Sequence, residues 1–519
     1  MKKLLKIVVS VFGLLIVLVG ATGIAIVLLF DPNDYKDQIT ALIEQRTGRK
    51  LTLTGPITLS VFPWLGIEAG ALALGNASGF GSEPFLRSNK AAVRVRLLPL
   101  FRKTVEMDRL SLQEVRVDLA RNKQGKTNWE DLVQSRLGDK PHEGSPLFAA
   151  FALGGIEFTN AEVHWQDRLK DEYYSVRGLN LKTSKILPDE PVDLDLSFRA
   201  ETGKLGIGGI VEIKSTVDHD RAAGRYALVP LDLRARVQGP PIPGGEADII
   251  LHTDIEADLN TQLIKLPELV LEAKLAGENL PQGAVDLKLT GRIDADLKNR
   301  LAKITDLIIR TLDAEVRGDL EASRILSDVP GLQGHLAVQA PELPTLLKGF
   351  GQEALAEKVS AFSAETGFNG TPRKMVLAPL HIKAALTGAH KAPAEVRLEA
   401  RANIDRDNQT LALDDLSIQG LGLDVKGTAQ AQGSLTNPSY RGTFKFAPFN
   451  LRELLNRLDQ ETPLTADPTV LTKVAVDTGL TASSNSLDLK SLSLRLDKSQ
   501  ISGNLSIVDF AKPALKFKL

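Results

Sequence analysis

The chain has 519 residues, with 63 Lys plus Arg against 64 Asp plus Glu and a formal net charge of −1; a phosphate backbone attracts a large cationic excess, so nucleic acid is excluded as the main partner. Hydrophobic residues at 43% and charged residues at 24% describe a folded chain, and aromatics are sparse at 5%. Cys is absent, which excludes disulfide scaffolds, Cys-ligated metals, iron–sulfur clusters and thiol catalysis.

In chain order, the first element is an uncharged run from Ile7 to Phe30. It is long enough at 1.5 Å per residue to cross a hydrocarbon layer of about 30 Å. Lys2, Lys3 and Lys6 precede it and Asp31 and Asp34 follow it, which orients the N-terminus to the cytoplasm and the body across the membrane. A cleaved signal peptide has a shorter apolar region ending in a small-x-small site. Here Gly20, Ala21, Gly23 and Ala25 are followed by more apolar sequence, so an uncleaved anchor is expected. A helix is expected next, over 34–47. Asp31 can cap it, Pro32 suits the first turn, Tyr35, Ile39, Leu42, Ile43 and Arg46 share a side, and Gly48 stops it. It would sit against the membrane exit or plug the near end of the body.

Ala120–Thr127 reads ARNKQGKT and fits a permissive phosphate-loop pattern. Ala stands in place of the first Gly, however, and Val115, Val117 and Leu119 alternate as a strand into a turn at Asn122–Gly125. Only a short helix over 128–136 is expected after it, so nucleotide binding is discounted.

Beyond this the chain reads as strands with one apolar and one wet face. Ala247, Ile249, Leu251, Ile255, Ala257 and Leu259 alternate with polar residues, as do Val285, Leu287, Leu289, Ile293, Ala295 and Leu297. Val396, Leu398, Ala400, Ala402 and Ile404 repeat the pattern; shorter versions are Val192, Leu194, Leu196, Phe198 and Leu231, Leu233, Ala235, Val237. A second pattern, apolar-x-apolar-x-x-apolar-x-apolar, marks a bulge or a tight step between strands. It occurs at Val105/Met107/Leu110/Leu112, Tyr174/Val176/Leu179/Leu181, Ile264/Leu266/Leu269/Leu271 and Ala302/Ile304/Leu307/Ile309. It returns at Met375/Leu377/Leu380/Ile382, Leu411/Leu413/Leu416/Ile418 and Leu487/Leu489/Leu492/Leu494. Apart from the step between Leu179 and Leu269, the third members lie one or two units of about 37 residues apart, a tandem β repeat. A longer unit overlies it: Ala340-Pro341 and Ala447-Pro448 each lead into a short helix, expected over 343–363 and 450–460.

Helices are too few to cover so many one-sided strands, and uncovered apolar faces aggregate. The faces meet another sheet in a β-sandwich, or they form an open groove completed by something other than protein. Periodicity leaves both solutions standing. A catalytic reading finds little support, since H-E-x-x-H, G-x-S-x-G and G-x-G-x-x-G are all missing. The seven His are scattered, His164 and His252 fall on the polar parity of their strands, and Asp218-His219-Asp220 alone is too small a set for a metal. No catalytic residue, metal site or cofactor is assigned.

Four stretches resemble the AsmA family of Gram-negative envelope proteins: FDPNDYKDQI (Phe30–Ile39), TGRKLTLTGPITLSVFPWLGIEAGALALGNASGF (Thr47–Phe80), RNKQGKTNWEDL (Arg121–Leu132) and GGIEFTNAEVHWQD (Gly154–Asp167). The units near 340 and 447 resemble it too. The resemblance implies a mainly β chain: an N-terminal transmembrane helix followed by an elongated, repetitive, curved antiparallel sheet, an open taco-like groove with a few short helices. It implies a single-pass inner-membrane protein with a periplasmic body, similar to bridge-like lipid-transfer proteins with a chorein-type N-terminus. Phospholipids or other acyl lipids are then the expected partners, with envelope or outer-membrane proteins at the distal end, and the expected role is outer-membrane lipid homeostasis without enzymatic activity. The alternative is a scaffold or assembly factor for outer-membrane proteins with a closed sandwich core. Expected groove-lining residues are Leu194, Leu196, Phe198, Leu231, Leu233, Ile249, Leu251, Ile255, Val285, Leu287, Leu289, Ile293, Val396, Leu398 and Ile404. The expected organisation is a cytoplasmic tip and anchor (1–30), a chorein-like start (31–140), β-groove repeats (141–330), and two helix-bearing repeat units (331–440 and 441–519). Because relatives continue further and the sequence stops at Leu519 inside an expected strand, a shortened C-terminus is expected.

Overall fold

The structure is a computed structural model. It describes residues 31–60, 64–96, 106–132, 152–187, 190–220, 222–280, 283–349, 352–387, 394–433, 438–458, 460–465, 467, 469–510 and 513–518. The apolar run Ile7–Phe30, where the membrane anchor is expected, lies outside the described residues, as do residues 133–136 of the short helix expected over 128–136. Among the described residues no helix is long and apolar enough to cross a membrane. Strand dominates, as alternation requires, and the chain divides into two compact units between Glu256 and Ala257.

The first unit opens with a 3-10 turn, Pro32–Tyr35, and the helix Lys36–Thr47. Asp31 caps the turn by accepting from the Asn33 N–H at 2.8 Å, and Gly48, at φ +68°, ends the helix. The expected cap, proline and stop are all used, but the first turn is too tight to be α-helical. Short strands come next, paired locally: Leu51–Leu53 with Leu72–Leu74, Ile57–Ser60 with Trp64–Ala69, and Lys90–Arg96 with Glu106–Gln113. The long strand Ala152–Asp167 runs parallel to both Glu106–Gln113 and Arg116–Arg121. From there antiparallel hairpins take over through Glu172–Thr183, Val192–Thr202, Gly208–Asp220 and Arg225–Gln238.

The second unit continues in antiparallel strands, each paired with its neighbours in the chain from Leu263–Ala276 to Ala514–Lys518. The long helix expected over 343–363 is two short ones, Leu343–Gly349 and Glu353–Ala356, and Val359–Gly370 is already strand. Val359, Ala361 and Ser363 pair into the sheet with Leu386, Ala385 and Lys383, and those ladder bonds outweigh the helical propensity of the preceding segment. The helix expected over 450–460 spans Leu451–Arg457, capped by Asn450 Oδ1 accepting from the Glu453 N–H at 3.1 Å.

The spaced apolar pattern singled out in the sequence is a β-bulge. The register shifts fall between Val176 and Leu179, Leu266 and Leu269, Ile304 and Leu307, Leu377 and Leu380, Leu413 and Leu416, and Leu489 and Leu492. The extra residue takes a left-handed φ at Gly178 (+59°), Asp306 (+53°), Asp415 (+52°) and Ser491 (+53°). Asp and Ser tolerate this conformation better than branched side chains. Val105 of the first instance lies outside the described residues. A bulge also separates Leu228 from Leu231, which breaks the long step from Leu179 to Leu269.

Candidate functional site

Because each bulge adds one residue, the apolar side chains stay on one face on both sides of it, and paired residues form rungs running across the strands. In the second unit one such line passes from Leu271 through Leu289, Ile309, Val316, Val338, Ala364 and Ile382. It continues through Leu398, Ile418, Val425, Phe446, Val476, Leu494 and Ile501. On the far side of the bulges a second line passes from Leu266 through Ile293, Ile304, Leu320, Gly334, Phe368 and Leu377. It ends through Ala402, Leu413, Ala429, Gly442, Leu480, Leu489, Leu505 and Phe517. A third, starting at Ile264 and Ala295 and including Met375, Ile404, Leu411, Leu487 and Ile507, is equally apolar. At about 4.8 Å per strand, such a line is roughly 60 Å long within this unit.

Between these lines lies the bulge line, and there large residues face small ones. Leu269 pairs with Gly291, Leu307 with Gly318, Gly318 with Leu336, Leu336 with Thr366, and Thr366 with Leu380. Leu380 pairs with Ala400, Leu416 with Gly427, Gly427 with Phe444, Phe444 with Thr478, and Leu492 with Gly503. A Cβ on Gly318 would stand 2.1 Å from the His335 carbonyl oxygen, and one on Gly427 1.8 Å from that of Thr443. Glycine is therefore required sterically at both. Where the small residue is threonine, its hydroxyl donates to the next residue's carbonyl, at 2.9 Å for Thr366 and 3.1 Å for Thr478. Its polarity is thus spent on the backbone and the face stays apolar.

The burial of this face decides between the two architectures left open by the sequence. In a sandwich the inward leucines of central strands are fully buried. Here the inward side chains of Ala284–Asp296, Leu301–Thr311 and Ala394–Asp405 are for the most part only half-buried. Among the described residues of the second unit Leu416, 3% exposed, is the one buried leucine. Extensive contacts of each strand there are with its chain neighbours, and the helices Leu343–Gly349 and Glu353–Ala356 pack on the strand Val359–Gly370 and on each other. No second layer covers the face among the described residues.

Of the expected lining residues, Leu289 and Leu398 stand in the first line, Ile293 in the second and Ile404 in the third. Val285 and Leu287 extend the same face of their strand, as does Val396 of its own. In the first unit Leu196 lies on a line Phe158–Leu181–Leu196–Ile213–Leu233. Phe198 pairs with Val211, and Leu194 and Leu231 flank Ser215. Ile249, Leu251 and Ile255 are half-buried in Glu246–Asp258. The structure adds Ile304, Ile309, Leu320, Phe368 and Leu494, which share the bulge pattern or its partner strands rather than the simple alternation.

The opposite face is polar and self-paired. Lys288 Nζ reaches Glu272 at 2.8 Å, Arg292 reaches Asp306 at 2.6 Å, and Lys374 reaches Asp405 at 3.1 Å. A depression of about 680 Å³ lies there, bordered by Lys303, Asp319, Glu321, Gln333, Asn369 and Arg401. Lys303, Glu321, Gln333 and Asn369 pair in sequence on the polar parity, so this hollow is on the side away from the apolar lines. Among the described residues no cluster of His, Asp and Glu could hold a metal. His252 is solvated beside Asp232, as expected, whereas the His164 ring is largely covered between Tyr173 and Glu162.

At the start of the first unit a buried lock joins the stretch Thr47–Phe80 to the stretch Arg121–Leu132. The Arg49 guanidinium, 2% exposed, donates to Asp131 Oδ1 at 2.6 Å and to the Asn128 carbonyl at 2.6 Å, and lies 4.7 Å over the Phe85 ring. That hydrogen bond from Arg49 holds the Asp131 carboxyl below its ordinary pKa. Asn128, fully buried, accepts from the Ala120 N–H at 2.8 Å and donates to Asn76 and the Asp118 carbonyl. Asn122 meanwhile accepts from the Gln124 and Lys126 N–H groups, which makes ARNKQGKT a hairpin turn and not a phosphate cradle.

Residues 1–217 match the model of the AsmA family. Over 225 residues the chain is 26% identical to Protein AsmA of Escherichia coli (strain K12), covering 43% of this chain and 34% of that protein. The chain thus spans about a third of that relative's length. The matched segment holds the lock and ends within the strand Gly208–Asp220, ahead of the long apolar lines of the second unit. Over those first 217 residues the chain is similar to the AsmA family.

Proposed function

We propose that the protein is a membrane-anchored conduit for acyl lipids. The apolar face receives the acyl chains of phospholipids, with headgroups left toward water, and the body stands in the periplasm on an inner-membrane anchor at Ile7–Phe30. Its role is outer-membrane lipid homeostasis, without chemistry of its own. One observation supports this above the others: three unbroken apolar lines cross the strands of the second unit, half-buried, with no protein layer over them among the described residues. An acyl chain gains little in moving from a bilayer to such a face, since both hide it from water at about 0.8 kcal/mol per CH₂. The gain is kinetic, because the aqueous step is removed. The test places a photocrosslinking side chain at Leu398, on the first line, and at Glu399, on the polar face, of the full-length chain in cell membranes. Phospholipid adducts, identified by mass spectrometry, are expected from position 398 and not from 399. Peptide adducts without lipid would instead support the scaffold reading.

A further inference from the structure

The helix Lys36–Thr47 leaves an apolar stripe outside the fold. It packs on the 3-10 turn before it and on the strand Leu51–Leu53. Lys36, Thr40, Ile43 and Thr47 make its half-buried side, whereas Ile39 and Leu42 remain 39% and 53% exposed. Tyr35, one turn earlier, is 42% exposed. At about 100° per residue, Ile39 and Leu42 lie within roughly 60° of each other, and Asp37 and Glu44 lie on the opposite side of the helix. The acids therefore point away from Ile39 and Leu42, while Arg46 takes a position between them on the helical wheel, as a basic residue beside anionic headgroups would.

Where the chain comes from says what covers the stripe. The uncharged run Ile7–Phe30 ends one residue before the turn Pro32–Tyr35. The start of the turn is clamped to the body: Asn33 Nδ2 donates to the Ile57 carbonyl at 2.9 Å, and the Ile57 N–H donates to Asn33 Oδ1 at 2.8 Å. Only eleven residues separate Leu42 from Phe30 in the chain. A stripe held to the body so few residues after a membrane-length segment has the bilayer surface as its nearest apolar phase.

We propose that Ile39 and Leu42, with Tyr35 at the head of the stripe, lie in the headgroup layer of the bilayer entered by Ile7–Phe30, so that this helix sets the angle of the body to the membrane. The inference rests on the anchor reading but not on lipid occupying the apolar face. The chain contains no Cys, so single cysteines can be introduced cleanly. Full-length Ile39→Cys, Leu42→Cys, Asp37→Cys and Glu44→Cys, each carrying an environment-sensitive fluorophore, are reconstituted in vesicles of phosphatidylethanolamine with a minority of phosphatidylglycerol. Nitroxide-labelled lipids should quench positions 39 and 42 several-fold more than 37 and 44, with blue-shifted emission. Equal quenching at all four overturns the proposal. So does a blue shift at 39 and 42 without lipid quenching, which would mean that a second copy or the chain itself covers the stripe. Protein that fails to float with the vesicles removes the anchor reading and this inference together; protein that floats without the difference removes this inference alone.

Discussion

Leu289 stands in the first apolar line, paired with Leu271 on one side and Ile309 on the other, and its side chain is only half-buried. Leu289→Asp removes a partly buried apolar group, a loss on the order of 1 kcal/mol. The new carboxylate still reaches water when the face is empty, so the sheet should survive. With acyl chains over the line the carboxylate must be desolvated or the lipid displaced, and a carboxylate amid hydrocarbon costs about 3 kcal/mol. That is roughly a hundredfold fall in local occupancy. On the proposed conduit lipid would still bind elsewhere on the line, but a track that works in series is broken by one bad rung. Leu289→Asp should therefore unfold in urea within about 1 kcal/mol of the parent and keep most of its copurifying phospholipid. It should move labelled phospholipid between donor and acceptor vesicles at least tenfold more slowly. Lys490→Asp, on the polar face beside Leu489, should leave all three unchanged. The reasoning fails if Leu289→Asp costs about 3 kcal/mol or more, as a close-packed core leucine would, or if the folded variant transfers lipid at the parental rate.

Two further outcomes are expected. Gly318→Ala and Gly427→Ala, whose new Cβ would meet backbone oxygens at 2.1 and 1.8 Å, should each cost about 3 kcal/mol in urea unfolding; Gly291→Ala, whose nearest atom is 3.4 Å away, should stay within about 0.5 kcal/mol. Asp131→Asn strands the buried Arg49 charge and should cost about 2 kcal/mol, less than a fully buried pair because Asp131 is itself half-exposed; faster hydrogen exchange in Leu51–Leu53 would report it. Since the Arg49 hydrogen bond lowers the Asp131 pKa in the folded state, its contribution is complete above the ordinary carboxylate pKa of about 4 and disappears as the pH falls through the lowered value. The gap between parent and variant should accordingly be flat from about pH 5 to 8 and close in stronger acid.

Much of this fold is legible in the sequence, for a physical reason. Period two fixes which side chains share a face, and one inserted residue preserves the face across a bulge, so Ile264/Leu266/Leu269/Leu271 already encodes the kink at Leu269. Gly291, which reads in the sequence as an interruption of its alternating strand, is in the structure the small partner of Leu269. Only the register, by pairing the two, makes that visible. Tyr226, Leu228, Leu231 and Leu233 keep the same spacing, with Val229-Pro230 where Met375/Leu377/Leu380/Ile382 carries Ala378-Pro379, so the bulge at Leu231 is within reach of the same pattern. The parallel pairing of Ala152–Asp167 with two earlier strands has no local signature, since it depends on where the chain returns after Leu132. The expected helix over 343–363 fails at its second half, where Val359, Ala361 and Ser363 find partners in the sheet. Half-burial of the apolar face is beyond the sequence altogether, because alternation looks the same under a second sheet and under none.

The bulge line also bears on how a passive track could work. A leucine, or at one position Phe444, on every second strand, facing glycine, alanine or threonine on the strand between, would make a ridged surface if its side chain stood upright. Close approach over the glycines lets it lie down: Leu336 Cδ2 comes within 2.8 Å of where a Gly318 Cβ would be, and on the second line the Phe368 ring similarly occupies the space above Gly334 of the neighbouring strand. Volume missing from one strand is filled by the next, so the average height of the face changes little from rung to rung. For a ligand held only by contact area, even height means nearly even binding energy, and a step along the face then exposes few methylenes at about 0.8 kcal/mol each. Filling a glycine position with a bulky residue would do the reverse, raising one ridge against which a sliding chain must lift, so the alternation would lower the barrier to movement as well as satisfy packing.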